Sequence, residues 1–179
     1  MKKNPPKVGM LVENLYQEME VWYPIFRLQE AGALVTVIGP KAMQYSSKLG
    51  YPVIAEISAD EANPKDFDVL IIPGGFAPDL MRVCKPMIAL TKEAHERGAL
   101  IASICHGTWL LISANIIKNQ RVTGAPSIID DITNAGGKYV DAEVVVDKNI
   151  ISSRRPADIP AFSRAIMTYL SSKFGNEPW

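Results

Sequence analysis

Short apolar runs alternate along the chain with segments whose apolar residues recur at three- and four-residue intervals. This is the pattern of buried parallel strands joined by crossover helices. Val8 to Val12 reads as a buried strand, and Glu20 to Ala31 as the helix after it, with Val21, Trp22, Ile25, Phe26 and Leu28 on helical spacing and Gly32 at the C-cap. Leu34 to Ile38 is the second strand. From Pro40 to Pro64 the pattern is mixed, with Tyr51 to Ile54 extended. Phe67 to Ile72 is a strand that ends at Pro73-Gly74-Gly75, a turn able to take positive φ and to bring backbone amides close to a ligand. Pro86 to Arg97 is a helix closed by Gly98, Ala99 to Ser103 a strand, and Thr108 to Ala114 a helix. Ser127 is placed to cap a further helix that carries Asp130 in its first turn and ends at Gly136-Gly137. The strands Glu143 to Val146 and Asn149 to Ser152 flank a turn at Asp147-Lys148. Asp158 then caps a last helix with one apolar stripe, Phe162, Ala165, Ile166, Tyr169 and Leu170.

Composition narrows the class. The 179 residues are 47% apolar and 21% charged, without repeats, low-complexity stretches or a linker, so residues 1–179 are read as a single domain. Nineteen basic residues balance nineteen acidic ones and form no basic cluster, which excludes nucleic acid as a partner. With only Cys84 and Cys105, a disulfide framework is not expected and a reducing compartment is. Lys2 and Lys3 precede an apolar run that Glu13 stops short of a signal-peptide core, and no apolar stretch approaches the ~18 residues of a membrane span. No membrane association and a cytoplasmic location are therefore expected.

The chemistry concentrates in Ala99 to Gly107, where a cysteine stands at a sharp strand-to-helix junction. Such an elbow lifts the side chain clear of the sheet, and the following helix N-terminus favours thiolate over thiol. The amides of His106 and Gly107 would face the same space, joined by those of Gly74 and Gly75 from the neighbouring strand end, as an oxyanion hole. Carboxyl ends of strands in parallel sheets are where ligands bind. The competing reading makes Cys105 an inert buried thiol, and Cys84, which lacks any such context, is read as structural.

Only two histidines occur. No histidine follows His106, which rules out a glutamine amidotransferase, and no zinc-ligand spacing is present, so neither metal nor cofactor is expected. His95, between Glu93 and Glu96, reads as a solvated surface residue, leaving His106 as the base. A histidine adjacent to the nucleophile needs an orienting acid from elsewhere, and Asp79 in the Gly74-to-Asp79 loop is one candidate, a turn or cap residue otherwise. Glu20 is the other carboxylate, at the start of the first helix. Buried beside the thiol it should be protonated and donate a hydrogen bond to a thiolate; exposed, it would merely suit the helix dipole.

Glu20 with Tyr23-Pro24, Pro73 to Asp79, Ala102 to Gly107, Asp130-Asp131 with Gly136, and Val140 to Asp147 with Ser152-Ser153-Arg154 together resemble the PfpI family of intracellular cysteine peptidases and protein deglycases, in the ThiJ/PfpI superfamily. The motifs span nearly the whole chain in order. The resemblance implies a flavodoxin-like α/β three-layer sandwich with a mostly parallel central sheet, similar to class I glutamine amidotransferases. It implies a homodimer able to assemble into hexamers. Cys105 matches the family nucleophile, His106 its adjacent histidine and Glu20 the glutamate at the thiol, while Asp79 matches the acid that reaches the histidine from a neighbouring subunit. Phe76 stands where many relatives carry Arg, and Ala125 where they carry Tyr or Trp, which makes the expected substrate entrance less basic and roomier. Asp79 is a methylene shorter than the glutamate of some relatives.

Two classes of function follow. In the first, the Cys105 thiolate attacks the carbonyl carbon of a peptide, or of methylglyoxal and its early adducts with amines and thiols, releasing lactate or glycolate in the latter case. In the second, Cys105 is a redox sensor in a stress protein or chaperone.

Overall fold

The computed structural model of the chain describes residues 4–175, so Lys2 and Lys3 lie outside the described range. The chain opens with β1 (Lys7–Leu11), α1 (Glu18–Glu30) and β2 (Leu34–Gly39). A hairpin, β3 (Gln44–Ser46) and β4 (Pro52–Ile54), and the short β5 (Ile57–Ser58) lead to β6 (Val69–Ile72). Then come α2 (Ala77–Met81), α3 (Lys85–Glu96), β7 (Leu100–Ile104), α4 (Thr108–Ser113), β8 (Arg121–Val122), α5 (Ile129–Asn134) and β9 (Lys138–Tyr139). The hairpin β10 (Val144–Asp147) and β11 (Ile150–Ser153) and the long α6 (Ile159–Phe174) complete the fold.

Seven strands form one sheet in the order β10-β11-β7-β6-β1-β2-β5. Every pairing in it is parallel except β10 with β11. Its central strands are apolar on both faces, and β6 and β7 are buried at every position, because helices cover both sides. The helices α1 and α6 pack together on one side and α2 to α5 cluster on the other, giving the α/β flavodoxin-like sandwich. Strand order reverses between β1 and β6: the chain moves out through β2 on one side and through β7 on the other. The carboxyl ends of β1, β6 and β7 thus border the crevice where such sheets take ligands. Among the described residues no helix is long and apolar enough to cross a membrane.

Local chemistry moves several boundaries. α1 starts two residues before the expected Glu20 because the Gln17 side chain caps it, accepting from Met19 N at 2.7 Å and Glu20 N at 3.1 Å. Glu20 is thereby fixed in the first turn. Asp158 does not cap α6 through its side chain, which is claimed instead by the Arg154 guanidinium at 2.8 Å and 3.2 Å. Ser127 caps no helix either; its turn is a single 3-10 turn ahead of α5.

Candidate active site

The elbow at Cys105 is a strained turn. Cys105 leaves β7 with φ +60, a left-handed conformation costing a non-glycine residue on the order of 1–3 kcal/mol, and a 3-10 turn, Cys105–Gly107, leads into α4. The turn is tight because Gly107 has no side chain: a Cβ there would strike the Ile72 carbonyl. Its carbonyl side is pinned from β8's exit, Ala125 N donating to Cys105 O at 3.1 Å.

Gly74 lies where β6 ends, between the thiol and Glu20. A Cβ on it would sit 2.6 Å from Cys105 Cβ and 2.7 Å from Glu20 Oε2, so a glycine is required for the two side chains to share the space. Its amide is not available for an incoming anion, contrary to expectation, because Gly74 N donates to Glu20 Oε2 at 2.6 Å. Gly75, with φ +79, turns its N–H to the sulfur, where the His106 N–H joins it. The amide pair at the reacting atom is therefore Gly75 and His106, while Gly107 serves packing.

Glu20 is fully buried, and burial pushes its carboxyl up from 4.5 to about 7 against the pull of the Gly74 amide, Lys48 and the Cys105 side chain. Its Oε1 is buried without a hydrogen-bond partner of ordinary geometry. The expectation of a protonatable Glu20 beside the thiol thus agrees with its surroundings. The expected low-pKa thiol does not. Burial and the facing Glu20 carboxylate push the Cys105 thiol up to about 12, despite the two amides and Lys48. At a three-residue turn the helix field is too weak to offset desolvation and a neighbouring anion. Sulfur and carboxyl titrate as a pair: the sulfur keeps its proton through neutral pH while the carboxyl gains and loses one near 7.

His106 stands 3.2 Å from the sulfur through Nδ1. Its Nε2 lies 2.9 Å from Ser127 Oγ, a residue whose sequence context suggested only a helix cap. Burial and then Lys48 hold the imidazole below its ordinary value. Trp109 packs against the ring at a centroid distance of 5.0 Å, and its indole N–H is anchored on Asp131 at 2.8 Å. Asp79 is exposed in the first turn of α2 and makes no hydrogen bond or ion pair with His106 of its own chain. Lys48 was not foreseen: Tyr16 bridges to both Ser47 and Gly75, which brings the turn after β3 beside the site, and the charge of Lys48 is felt by Glu20, Cys105 and His106.

Phe76 is 66% exposed next to Gly75, whereas Ala125 is buried and does not itself widen a mouth. Cys84 is half-buried and packed on the core, and His95 is half-buried rather than solvated. Among the described residues no group of three His, Cys, Asp or Glu side chains gathers as a ligand set for a metal.

A model of the DJ-1/PfpI family matches residues 6–169. The chain belongs to the DJ-1/PfpI family. Within that family it is 40% identical over 164 residues to a deglycase of Thermococcus kodakarensis, covering 92% of this chain and 99% of the relative. It is 36% identical over 169 residues to the protein/nucleic acid deglycase 2 of Escherichia coli, covering 93% and 98%. Among solved structures, the DJ-1/PfpI fold recurs with a TM-score of 0.91 and 37% identity in a two-domain protein of Anabaena variabilis that also has a ferritin-like domain. That match covers 93% of this chain and 48% of the other, so this chain spans about half of it.

Proposed function

We propose that this chain is a cysteine-dependent deglycase and glyoxalase, with Cys105 as nucleophile toward α-oxoaldehydes and their early adducts with amines and thiols. The observation that carries the reading is the convergence on one sulfur of a strained elbow, two backbone N–H groups, an imidazole nitrogen and a carboxyl near neutrality. The deglycase names of the relatives point the same way.

Sulfur adds to the aldehyde carbon of methylglyoxal as the thiol proton passes to His106 Nδ1, 3.2 Å away. The Gly75 and His106 amides, which border the sulfur, stabilise the negative charge that develops on the aldehyde oxygen as the C–S bond forms. In the resulting hemithioacetal the C1 proton is moved to C2, a transfer suited to Glu20, whose pKa of about 7 lets it accept and return a proton at neutral pH. The product is a thioester of lactate on Cys105, and water cleaves it to lactate and the free thiol. A thiol held protonated at rest is activated only when substrate is present.

Lactate formation from methylglyoxal, assayed beside cleavage of a fluorogenic peptide and with Cys105→Ser as control, tests the reading. Lactate without peptide cleavage, abolished in the variant, is expected. Peptide cleavage alone would replace it with a peptidase. Stoichiometric, stable Cys105 sulfinate after mild peroxide, with negligible turnover, would favour a redox sensor or chaperone instead. We also propose a homo-oligomer, a dimer able to build to a hexamer, in the cytoplasm. Its support is the exposed apolar set Met19, Phe26, Leu49 and Ile54 on α1 and around the β3–β4 hairpin, and an Asp79 free to face another copy. Sedimentation velocity showing a monomer at micromolar concentration would remove it.

A further inference from the structure

We infer that Trp109 is a positioning residue for His106, packing its indole on the imidazole so that the ring stays beside the Cys105 sulfur. The inference rests on the reading of Cys105 and His106 as the reacting pair.

A histidine adjacent to its nucleophile in sequence is weakly restrained by the backbone, because a change of χ1 rotamer carries the ring from the sulfur to solvent. His106 is half-buried, so its outward side is open to water. The contacts with Cys105 Sγ at 3.2 Å and Ser127 Oγ at 2.9 Å lie at the edge of the ring and give its faces no support. A base serves only while it lies within hydrogen-bond reach of the proton it takes. Whatever closes the outward rotamer therefore sets the fraction of time for which His106 can act.

Trp109 closes it. It follows His106 by three residues, and the 3-10 turn Cys105–Gly107 runs on into α4, so the two side chains are neighbours on one side of the same short helical stretch. Their ring centroids are 5.0 Å apart with the planes at 57°, a separation at which tilted aromatic pairs attract. Among the described residues no other aromatic ring is in contact with His106. The indole is itself tethered. Its Nε1–H donates to Asp131 in α5 at 2.8 Å, and the Arg82 guanidinium, which donates to Ser113 Oγ at 3.3 Å, lies 5.4 Å from its ring centroid. Held at its edge from α5 and over its ring by the residue that ends α2, Trp109 resists an outward swing of the imidazole. The contact is one of ring against ring. It leaves Nε2 open to Ser127 or to a carboxylate of a second copy and is indifferent to the tautomer.

Three variants test the role. Trp109→Leu keeps apolar bulk and removes the ring, Trp109→Phe keeps a ring, and Asp131→Ala loosens the indole from an exposed position. Alkylation of Cys105 by iodoacetamide at pH 8, followed on its own peptide by mass spectrometry, reads the geometry without turnover, and His106→Gln sets the rate without a base. Trp109→Leu should slow alkylation about fivefold, the worth of one aromatic pair. Trp109→Phe should recover most of the rate, and Asp131→Ala should slow it about twofold. With methylglyoxal, kcat should fall in Trp109→Leu by the same factor as alkylation while KM stays within about twofold. Three results would overturn the inference: native alkylation in Trp109→Leu, an equal loss in Trp109→Leu and Trp109→Phe, or a raised KM at native kcat, which would make Trp109 a substrate contact instead. Native alkylation in His106→Gln would remove the reacting pair and the inference with it. A protein that forms no lactate, yet whose alkylation slows in Trp109→Leu and recovers in Trp109→Phe, would count against the proposed reaction and leave the positioning role standing.

Discussion

Replacing Glu20 by Gln deletes an ionisable group while keeping its shape and an acceptor for the Gly74 amide. In the native chain Glu20 is fully buried and its carboxyl is raised from 4.5 to about 7. An acid whose folded pKa exceeds its unfolded value binds a proton on folding between the two. Its contribution to stability is therefore complete below about 4.5 and is lost as the pH climbs through about 7. At about 1.4 kcal/mol per pH unit, that displacement corresponds to about 3 kcal/mol. Gln mimics the protonated carboxyl at every pH, so the native protein should lose about 3 kcal/mol relative to Glu20→Gln between pH 4.5 and 8. Urea unfolding of both proteins at half-unit steps across that range measures the gap. His106 and the remaining carboxylates titrate in both proteins and largely cancel. A gap that stays constant within ~0.5 kcal/mol would show that Glu20 is ionised throughout, and would refute the raised carboxyl ascribed to it.

The same substitution should accelerate alkylation of Cys105 by iodoacetamide at pH 8 by about tenfold or more, since it removes an anion facing the sulfur, a Coulomb term worth up to about 4 kcal/mol at ~4 Å and an effective dielectric near 20; a slower rate would mean that Glu20 helps the thiolate at that pH. Gly74→Ala places a Cβ against Cys105 Cβ and Glu20 Oε2, and should cost about 1–3 kcal/mol in unfolding experiments while abolishing turnover. Phe76→Arg, at a position 66% exposed, should leave stability within ~0.5 kcal/mol. It should raise kcat/KM for glyoxylate relative to methylglyoxal by about threefold at low salt, and the gain should fade in 0.5 M salt.

The alternation of strands and helices was legible because the central strands are buried on both faces, which writes runs such as Val69–Ile72 and Leu100–Ile104 almost without polar interruption. The elbow was legible for a related reason: Cys105-His106-Gly107 follows directly on such a run, and only a glycine fits under Ile72. Less was visible where a side chain is claimed from far along the chain. Ser127 looks like a helix cap until the fold brings His106, twenty-one residues earlier, within 2.9 Å of it. Asp158 has cap chemistry, yet a guanidinium four residues earlier outcompetes the helix amides for it. Gly74 was read as an oxyanion donor because a Gly-Gly turn exposes amides, but it sits closest to a buried carboxylate that needs one. The raised thiol was hidden too, since burial and a facing charge are three-dimensional quantities. Lys48 entered the site through the double bridge of Tyr16, which no local pattern announces.

The central claim is that the Cys105 sulfur forms a bond to the carbonyl carbon of the substrate. Rapid-quench peptide mass spectrometry during turnover of 13C-labelled methylglyoxal tests it most directly. The account predicts a transient label on the peptide containing Cys105, none on the peptide containing Cys84, and loss of both label and lactate in Cys105→Ser. Lactate released while Cys105 stays unlabelled, or a label carried instead by Cys84, would contradict it.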